Sequence, residues 1–250
     1  MRNILLDLEY DGTDFCGSQL QSHGRTVQGE LERALYRLTQ QETRVILAGR
    51  TDAGVHASGQ RGNFRTTSSL SLATLQRALN ALLPADLAVL RAQEVPESFH
   101  ARFAARRRSY RYTIYNARVR SPLARRYAWH VPEPLDVAAM ARAAQMLVGE
   151  HDFASFANAG SGRGPRGTVR KVYRAECWQE GPWVYFEITA DAFLRGMVRN
   201  LVGQLCWLGQ ERCSLAEFRA IWEARDRKQA APPAPAHGLC LVRVEYDEVD

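Results

Sequence analysis

The sequence predicts an α+β fold of two lobes, each with an antiparallel sheet and helices on one face. The chain has 250 residues, of which 46% are hydrophobic and 24% charged, an ordinary globular composition with enough length for two compact domains. Runs with alternating apolar residues, typical of strands, are interspersed with runs whose apolar residues recur at helical spacing. In both halves a strand ends near an aromatic residue, Phe15 or Phe193, and leads into a long helix, which suggests an internal duplication.

The first lobe, residues 1–104, is expected to contain four strands and two helices. The strands are placed at residues 3–10, 45–49, 61–66 and 87–95. Each helix has a candidate N-cap, Thr26 or Ser71, because a side-chain oxygen there can accept from a free backbone N–H. The apolar stripes of the helices are Val27, Leu31, Leu35 and Leu38, and Leu72, Leu75, Leu79 and Leu82.

The second lobe, residues 105–250, is likewise expected to consist of strands and helices. Its strands are placed at residues 110–116, 172–178, 183–190 and 239–246, and its helices at 136–147 and 192–209. Residues 231–238, APPAPAHG, indicate a proline-rich surface loop. A cleft between the two lobes is the default place for a site.

The charge balance favours a polyanionic partner. The formal net charge is +6, and Lys171 and Lys228 are the only lysines among 33 basic residues. Arginine suits phosphate because its planar fork binds two oxygens at once. A base-composition bias that enriches Arg and Ala explains the same numbers, so the charge alone does not decide the partner.

The cysteines and the apolar runs bear on location and on metal binding. The five cysteines, Cys16, Cys177, Cys206, Cys213 and Cys240, form no CxxC pair or zinc-like set, as expected for a reducing cytoplasm. No signal-peptide stretch opens the chain, and no run approaches the ~20 apolar residues of a membrane span. We expect a cytoplasmic protein that uses no metal and does not enter a membrane.

The segment GRTDAGVHASGQ, residues 49–60, is the leading candidate for a site. It is rich in glycine, follows an apolar strand and carries Arg50, Asp52 and His56. A tight loop that presents a carboxylate from a strand end is a common way to build an active site. Alternatively, Asp52 only caps backbone N–H groups in a turn, or Asp52 and His56 bind a metal, although no third ligand is apparent.

Two further segments carry candidate residues. In HARFAARRRSYRYTIYN, residues 100–116, arginines are interleaved with tyrosines, and on a strand Tyr110 and Tyr112 share the face opposite to Arg111. Aromatic rings stack on unpaired bases while arginines hold the phosphates; buried tyrosines and a solvated basic loop are the alternative. In FLRGMVRNLVG, residues 193–203, Arg199 within an apolar helix needs either an acidic partner or a path to solvent.

GRTDAGVHASGQ, together with TVQGELERAL, FHARF, YRYTIYN, HDFASF and FLRGMVRN, resembles the tRNA pseudouridine synthase A family, in collinear order over nearly the whole chain. The resemblance implies two lobes of ferredoxin-like (RRM-like) topology around a basic catalytic cleft. It also implies a cytoplasmic homodimer, without metal or cofactor, that converts uridines 38, 39 and 40 of the tRNA anticodon stem-loop to pseudouridine.

The resemblance also implies roles for four residues. Asp52 matches the catalytic aspartate, Tyr110 the residue that stacks on the target uracil, Arg199 the arginine that pairs with the aspartate, and Arg50 an arginine implicated in flipping the base. Whether the carboxylate attacks the ring, attacks the sugar or removes the 2′ proton stays open. Ser18 stands where the family pattern has tryptophan, so we expect the first loop to differ from the family in how it packs or contacts RNA.

Two other functions are compatible with parts of this pattern. A non-catalytic RNA-binding protein of the same fold would use the basic, aromatic surface alone. A metal-dependent nuclease or hydrolase would use Asp52 and His56 and would lose its activity with chelators.

Overall fold

The computed structural model describes residues 1–162 and 164–247, and the chain packs as two compact units. Unit 1 comprises Met1–Arg108 and Cys240–Asp250, and unit 2 comprises Ser109–Leu239. The sequence placed the division after residue 104 and assigned the last strand to the second lobe; Arg163 and residues 248–250 of that lobe lie outside the described residues. The predicted α+β fold class is confirmed.

Ten strands and six α-helices are described. The strands are β1 (Arg2–Tyr10), β2 (Ile46–Leu47), β3 (His56–Thr66), β4 (Leu87–Val95), β5 (Arg107–Asn116), β6 (Trp129–Val131), β7 (Gly149–Asp152), β8 (Val169–Glu180), β9 (Trp183–Ala190) and β10 (Leu239–Glu245). The helices are α1 (Val27–Thr39), α2 (Leu72–Leu82), α3 (Ala101–Ala104), α4 (Val137–Met146), α5 (Met197–Gly209) and α6 (Leu215–Glu223). None of the described helices is both long and apolar enough to cross a membrane.

Unit 1 has ferredoxin-like topology. Its elements run β1-α1-β2-β3-α2-β4 along the chain, and antiparallel pairing gives the spatial order β4-β1-β3-β2, the arrangement of the split βαβ motif. The predicted caps are confirmed: Thr26 accepts from the Gly29 amide and Ser71 from the Thr74 amide. β10 adds to β3 in parallel, with Cys240 opposite His56, and this pairing is why the last strand packs in unit 1.

Unit 2 repeats part of this arrangement. Its strand order is β5-β9-β8-β7, with β6 beside β5, so β5, β9 and β8 follow the same order as β1, β3 and β2. The predicted hairpin is confirmed, because β8 and β9 pair antiparallel from Glu180 opposite Trp183. Helices α4, α5 and α6 belong to this unit.

Two predictions for unit 2 were wrong in detail. The helix expected over residues 192–209 begins only at Met197, because Gly196 at its N-cap has the left-handed φ of 73°. The segment 231–238 is not a simple surface loop, since Ala231 and Ala234 are buried. It packs on α5 at Gly203, where an added Cβ would lie 2.0 Å from the carbonyl oxygen of Pro232.

We predict that the free energy of unfolding falls above about pH 10 in part through Tyr10. Burial raises the pKa of Tyr10 to about 12, although its hydrogen bond with Thr51 opposes the shift. An unfolded tyrosine loses its proton near pH 10, so between pH 10 and 12 the unfolded state binds fewer protons than the folded state. Each pH unit in this window then costs about 1.4 kcal/mol of stability, and the full contribution is present below it.

Urea unfolding at about pH 9 and about pH 11, compared between wild type and Tyr10→Phe, isolates this contribution. The free energy of unfolding of Tyr10→Phe should fall less between these two pH values than that of wild type, because phenylalanine has no hydroxyl to ionise. The control is Tyr36→Phe, since Tyr36 is 50% exposed. Identical pH slopes for wild type and Tyr10→Phe would mean that the Tyr10 hydroxyl is solvated in the folded protein.

Candidate active site

Asp52 lies in the loop that joins β2 to β3, as the sequence predicted for a strand-end carboxylate. The N-terminal side of the loop is fixed by Gln60 on β3: its Oε1 accepts from the Gly49 amide at 3.2 Å and its Nε2 donates to the Gly49 carbonyl at 2.9 Å. Gln60 is fully buried, so its amide replaces strand pairing where the loop leaves the sheet. The loop therefore starts from a defined position.

Thr51, the residue before Asp52, is held on three sides. Its amide donates to Ser18 Oγ at 2.9 Å, and its carbonyl accepts from the Ser18 amide at 3.1 Å. Its hydroxyl lies 2.8 Å from the hydroxyl of Tyr10, the last residue of β1. Because Ser18, Thr51 and Tyr10 are all buried, these bonds are shielded from water and fix the backbone of the loop.

A tight turn fixes the residues that follow Asp52. The Val55 amide donates to the Asp52 carbonyl at 3.1 Å, and the Gly54 amide donates to the Phe15 carbonyl at 3.3 Å. Gly54 has a φ of 76°, the left-handed conformation that glycine adopts without strain at the third position of such a turn. Asp52 is thus half-buried between two anchored stretches of backbone.

His56 follows this loop and forms a hydrogen bond with the backbone of the first loop. It is buried, its Nδ1 accepts from the Gly12 amide at 2.9 Å, and the same nitrogen lies 3.2 Å from the Asp11 carboxylate. Within residues 1–162 and 164–247 no group of three His, Cys, Asp or Glu side chains is arranged to hold a metal ion. The arrangement found for His56 is that of a residue that orients backbone.

Arg50 differs from its neighbours in the loop because its side chain is exposed. It lines a groove on unit 1 together with Ser18, Gln28, His100, Arg102 and Phe103, among others. The loop therefore combines a buried, hydrogen-bonded Thr51 with an exposed cation and a half-buried carboxylate. This combination suits a loop that must keep its shape while it binds an anionic ligand.

Tyr110 and Arg199 belong to unit 2. Tyr110, on β5, is 7% exposed, and its ring meets the Phe193 ring edge-on at a centroid distance of 5.0 Å. The predicted alternation on this strand is confirmed, since Tyr110 and Tyr112 are buried and Arg111 is exposed. Arg111 donates to one carboxylate oxygen of Glu187 at 2.9 and 2.7 Å.

Arg199, on α5, is half-buried and is tied to the proline-rich segment of its own unit. Its Nε donates to the Ala234 carbonyl at 2.7 Å, and the Ala234 amide donates back to the Arg199 carbonyl at 3.0 Å. Its positive charge also lowers the pKa of the Tyr112 hydroxyl, although burial, the larger effect, keeps that pKa well above the usual value. The guanidinium is thus oriented by backbone within unit 2.

Sequence reasoning missed the residues that position the loop. Tyr10, Ser18 and Gln60 form the bonds described above, and none of them was a candidate site residue. For Ser18 a signal existed, because it departs from the tryptophan that the family pattern has. Its buried bonds to Thr51 now explain how a small polar residue packs there.

Sequence comparisons with known proteins match this chain to tRNA pseudouridine synthases. A family model described as tRNA pseudouridine synthase matches residues 8–104 and 143–247. The chain is 52% identical over 255 residues to tRNA pseudouridine synthase A of Roseiflexus castenholzii, covering 99% of this chain and 92% of that protein. It is 51% identical over 245 residues to tRNA pseudouridine synthase A of Moorella thermoacetica, covering 97% of this chain and 99% of that protein.

The matched segments include Arg50, Asp52 and Arg199, whereas Tyr110 lies between them. Among solved structures, the chain resembles one in the crystal structure of a Cbf5-Nop10-Gar1 complex with a TM-score of 0.39 and 17% identity, covering 82% of this chain and 44% of that one. A similarity of this size adds nothing to the assignment.

We predict that Ser18→Ala destabilises unit 1. The substitution removes the acceptor of a buried Thr51 amide, and an unsatisfied buried donor costs about 1–3 kcal/mol. Chemical denaturation measures the change. Ser22→Ala is the matched control because Ser22 is an exposed serine of the same loop; an equal, small effect for both variants would contradict the prediction.

Proposed function

We propose that this chain, which belongs to the tRNA pseudouridine synthase family, converts uridine to pseudouridine at positions 38, 39 and 40 of the tRNA anticodon stem-loop. Membership of the family makes it an isomerase that acts on uridine in tRNA. The positions come from the resemblance of its motifs and are the proposed part. The observation that supports a catalytic role for this chain is the anchored loop that presents Asp52.

The reaction requires that the nucleotide be positioned accurately, more than it requires additional reagents. The C1′–N1 bond of uridine breaks, the uracil turns, and a bond forms from C1′ to C5, while the proton leaves C5 and N1 gains one. The product is an isomer of the substrate, so no electrons are gained or lost overall. We propose that the Asp52 carboxylate acts on the nucleotide to break the glycosidic bond, without metal or cofactor.

The loop geometry supports this role for Asp52. A carboxylate that must meet one atom of a flipped nucleotide needs a fixed backbone, because small misplacements cost large factors in rate. Thr51 and the turn over residues 52–55 supply that backbone. Exposed Arg50 beside it can hold a phosphate of the strand, as arginines commonly do.

The roles of Tyr110, Arg199 and Arg50 are proposed on the same resemblance. Tyr110 stacks on the uracil, Arg199 keeps the catalytic carboxylate ionised, since a neighbouring guanidinium favours the charged form, and Arg50 helps to extrude the base. The low exposure of Tyr110 means that substrate binding must uncover a ring face. The target base has to leave its stack before it can meet that face.

We further propose that two lobes form the catalytic machinery of each chain and that the enzyme works as a homodimer in the cytoplasm. The resemblance supports the homodimer. No disulfide bond joins any of the five cysteines, Cys16, Cys177, Cys206, Cys213 and Cys240. Free thiols are typical of a reducing compartment, which supports the location.

Asp52→Asn should reduce turnover by at least roughly 100-fold and leave tRNA binding in place, because the amide keeps the shape of the carboxylate but cannot ionise. The assay is the release of tritium from C5 of uridine-labelled tRNA, with EDTA present throughout, beside a binding measurement. Asp14→Asn is the control, since Asp14 is an exposed aspartate of a neighbouring loop.

Tritium release by wild type and by Asp14→Asn, but not by Asp52→Asn, supports the proposal. Full activity of Asp52→Asn would remove Asp52 from the reaction. Binding without tritium release by wild type, both in EDTA and in a parallel assay from which EDTA is omitted, would favour a non-catalytic RNA-binding protein, and release only when EDTA is omitted would favour a metal-dependent enzyme.

For Tyr110, we expect the ring and not the hydroxyl to matter for binding. Tyr110→Phe should keep wild-type affinity for tRNA, whereas Tyr110→Leu should lose about 1–3 kcal/mol, the stacking contribution of one base. Equilibrium binding, with circular dichroism to verify folding, compares the two variants. Loss of affinity in Tyr110→Phe would show that stacking is not the main role of this residue.

A further inference from the structure

We propose that a groove on unit 1, with the ring of Phe103 at its rim, binds the base that loses its stacking partner when the target uridine leaves the RNA stem. This proposal rests on the proposed function, because it assigns a neighbour of the target nucleotide to a second subsite. The subsite uses residues of unit 1 only. None of them is the catalytic aspartate.

The ring of Phe103 is presented to solvent by a rigid support. It is 76% exposed, although a single exposed apolar side chain is by itself ordinary. Here the ring also stacks on the His100 ring, with centroids 4.2 Å apart and planes 26° from parallel. The guanidinium of Arg102 lies 5.8 Å from the Phe103 centroid. An aromatic pair flanked by a cation is the arrangement that proteins use to stack an unpaired base.

The short helix α3 carries Phe103, and it is anchored through the backbone amide and the backbone carbonyl of Ala101. The Ala101 amide donates to Asn63 Oδ1 on β3 at 2.9 Å, and the Ala101 carbonyl accepts from the Tyr246 hydroxyl at 2.8 Å. His100 Nδ1 accepts from the Phe103 amide at 3.3 Å. Because these hydrogen bonds restrain the backbone that carries the Phe103 ring, less conformational entropy is lost when a base stacks on it.

The groove beside this platform has the charge that an RNA strand requires. Its lining includes Arg44, Arg50 and Arg102, and all three side chains are exposed. No described residue of the lining is acidic. Exposed arginines that line a groove can hold phosphates of a strand, while the ring provides a contact that tolerates any base.

Arg50 relates the groove to the reaction. It lines the groove and lies two residues before Asp52 in the sequence. Because Arg50 and Phe103 line the same groove, we assign the base on the Phe103 ring to a neighbour of the target on a strand whose phosphates contact Arg50. When the target uridine leaves the stem, its neighbour exposes a face to water, and the exposed ring of Phe103 can cover that face.

The test compares Phe103→Leu with Phe103→Trp in binding to an anticodon stem-loop RNA that has uridine at position 39. Leucine keeps an apolar side chain but has no π-face, so we expect affinity to fall about 5- to 150-fold. Tryptophan should retain wild-type affinity. Tyr36→Leu is the matched control, since Tyr36 is a 50% exposed aromatic residue of α1 in the same unit.

The salt dependence of RNA binding distinguishes the contribution of the Phe103 ring from the contribution of the arginines. Phe103→Leu removes no charge and should leave the slope of log affinity against log salt unchanged. Arg102→Gln removes a phosphate contact and should reduce the slope by about 0.7–0.9. A 2-aminopurine placed next to the target uridine should be quenched on binding to wild type and less quenched with Phe103→Leu.

Equal affinity of wild type and Phe103→Leu overturns the proposal, as does an equal loss in Tyr36→Leu. Tritium release assayed on the same proteins keeps the two proposals apart. If wild type releases tritium and Phe103→Leu binds and reacts like wild type, the subsite fails and the proposed function stands. If wild type releases no tritium, the proposed function fails, and the assignment of the groove to a neighbour of the target uridine fails with it even where Phe103→Leu binds RNA more weakly.

Discussion

A loop that presents a carboxylate cannot pair its backbone as a strand does, and its buried amides must find other partners. In unit 1 these partners come from side chains and backbone fixed by the sheet and the first loop: Gln60 for Gly49, Ser18 for Thr51, and the Phe15 carbonyl for Gly54. Tyr10 and Gln60 belong to the neighbouring strands β1 and β3, so the register of that pair sets where Asp52 lies. The position of the carboxylate is therefore a property of the whole unit.

The parts of the fold that depend on local sequence were predictable. Helices α1 and α2 carry their caps and apolar stripes within a few residues, and the predicted caps Thr26 and Ser71 both form. The loop around Asp52 could be recognised because its glycine-rich composition suits neither a core strand nor a helix. Family resemblance then supplied roles that composition alone could not.

What could not be predicted depends on residues far apart in the chain. Ser18 and Thr51 are separated by 33 positions, and no sequence feature near either residue predicts the hydrogen bonds between them. The burial of the proline-rich segment required Gly203 on α5 to admit the Pro232 carbonyl, a close approach invisible in the sequence of either segment. Helix α6, with its capping box of Ser214 and Glu217, was missed although its signal is local.

The parallel pairing of β10 with β3 affects the order in which the molecule can be completed during its synthesis. The strand edge at His56, directly after the loop that carries Asp52, receives its partner Cys240 only after the 131 residues of unit 2 that separate the two parts of unit 1 have been translated. Contacts of such long sequence separation form slowly, and an unpaired edge can pair with other chains. A ribosome that stalls within unit 2 would release a chain in which this edge is unpaired, so protection of the edge depends on residues that are translated after unit 2.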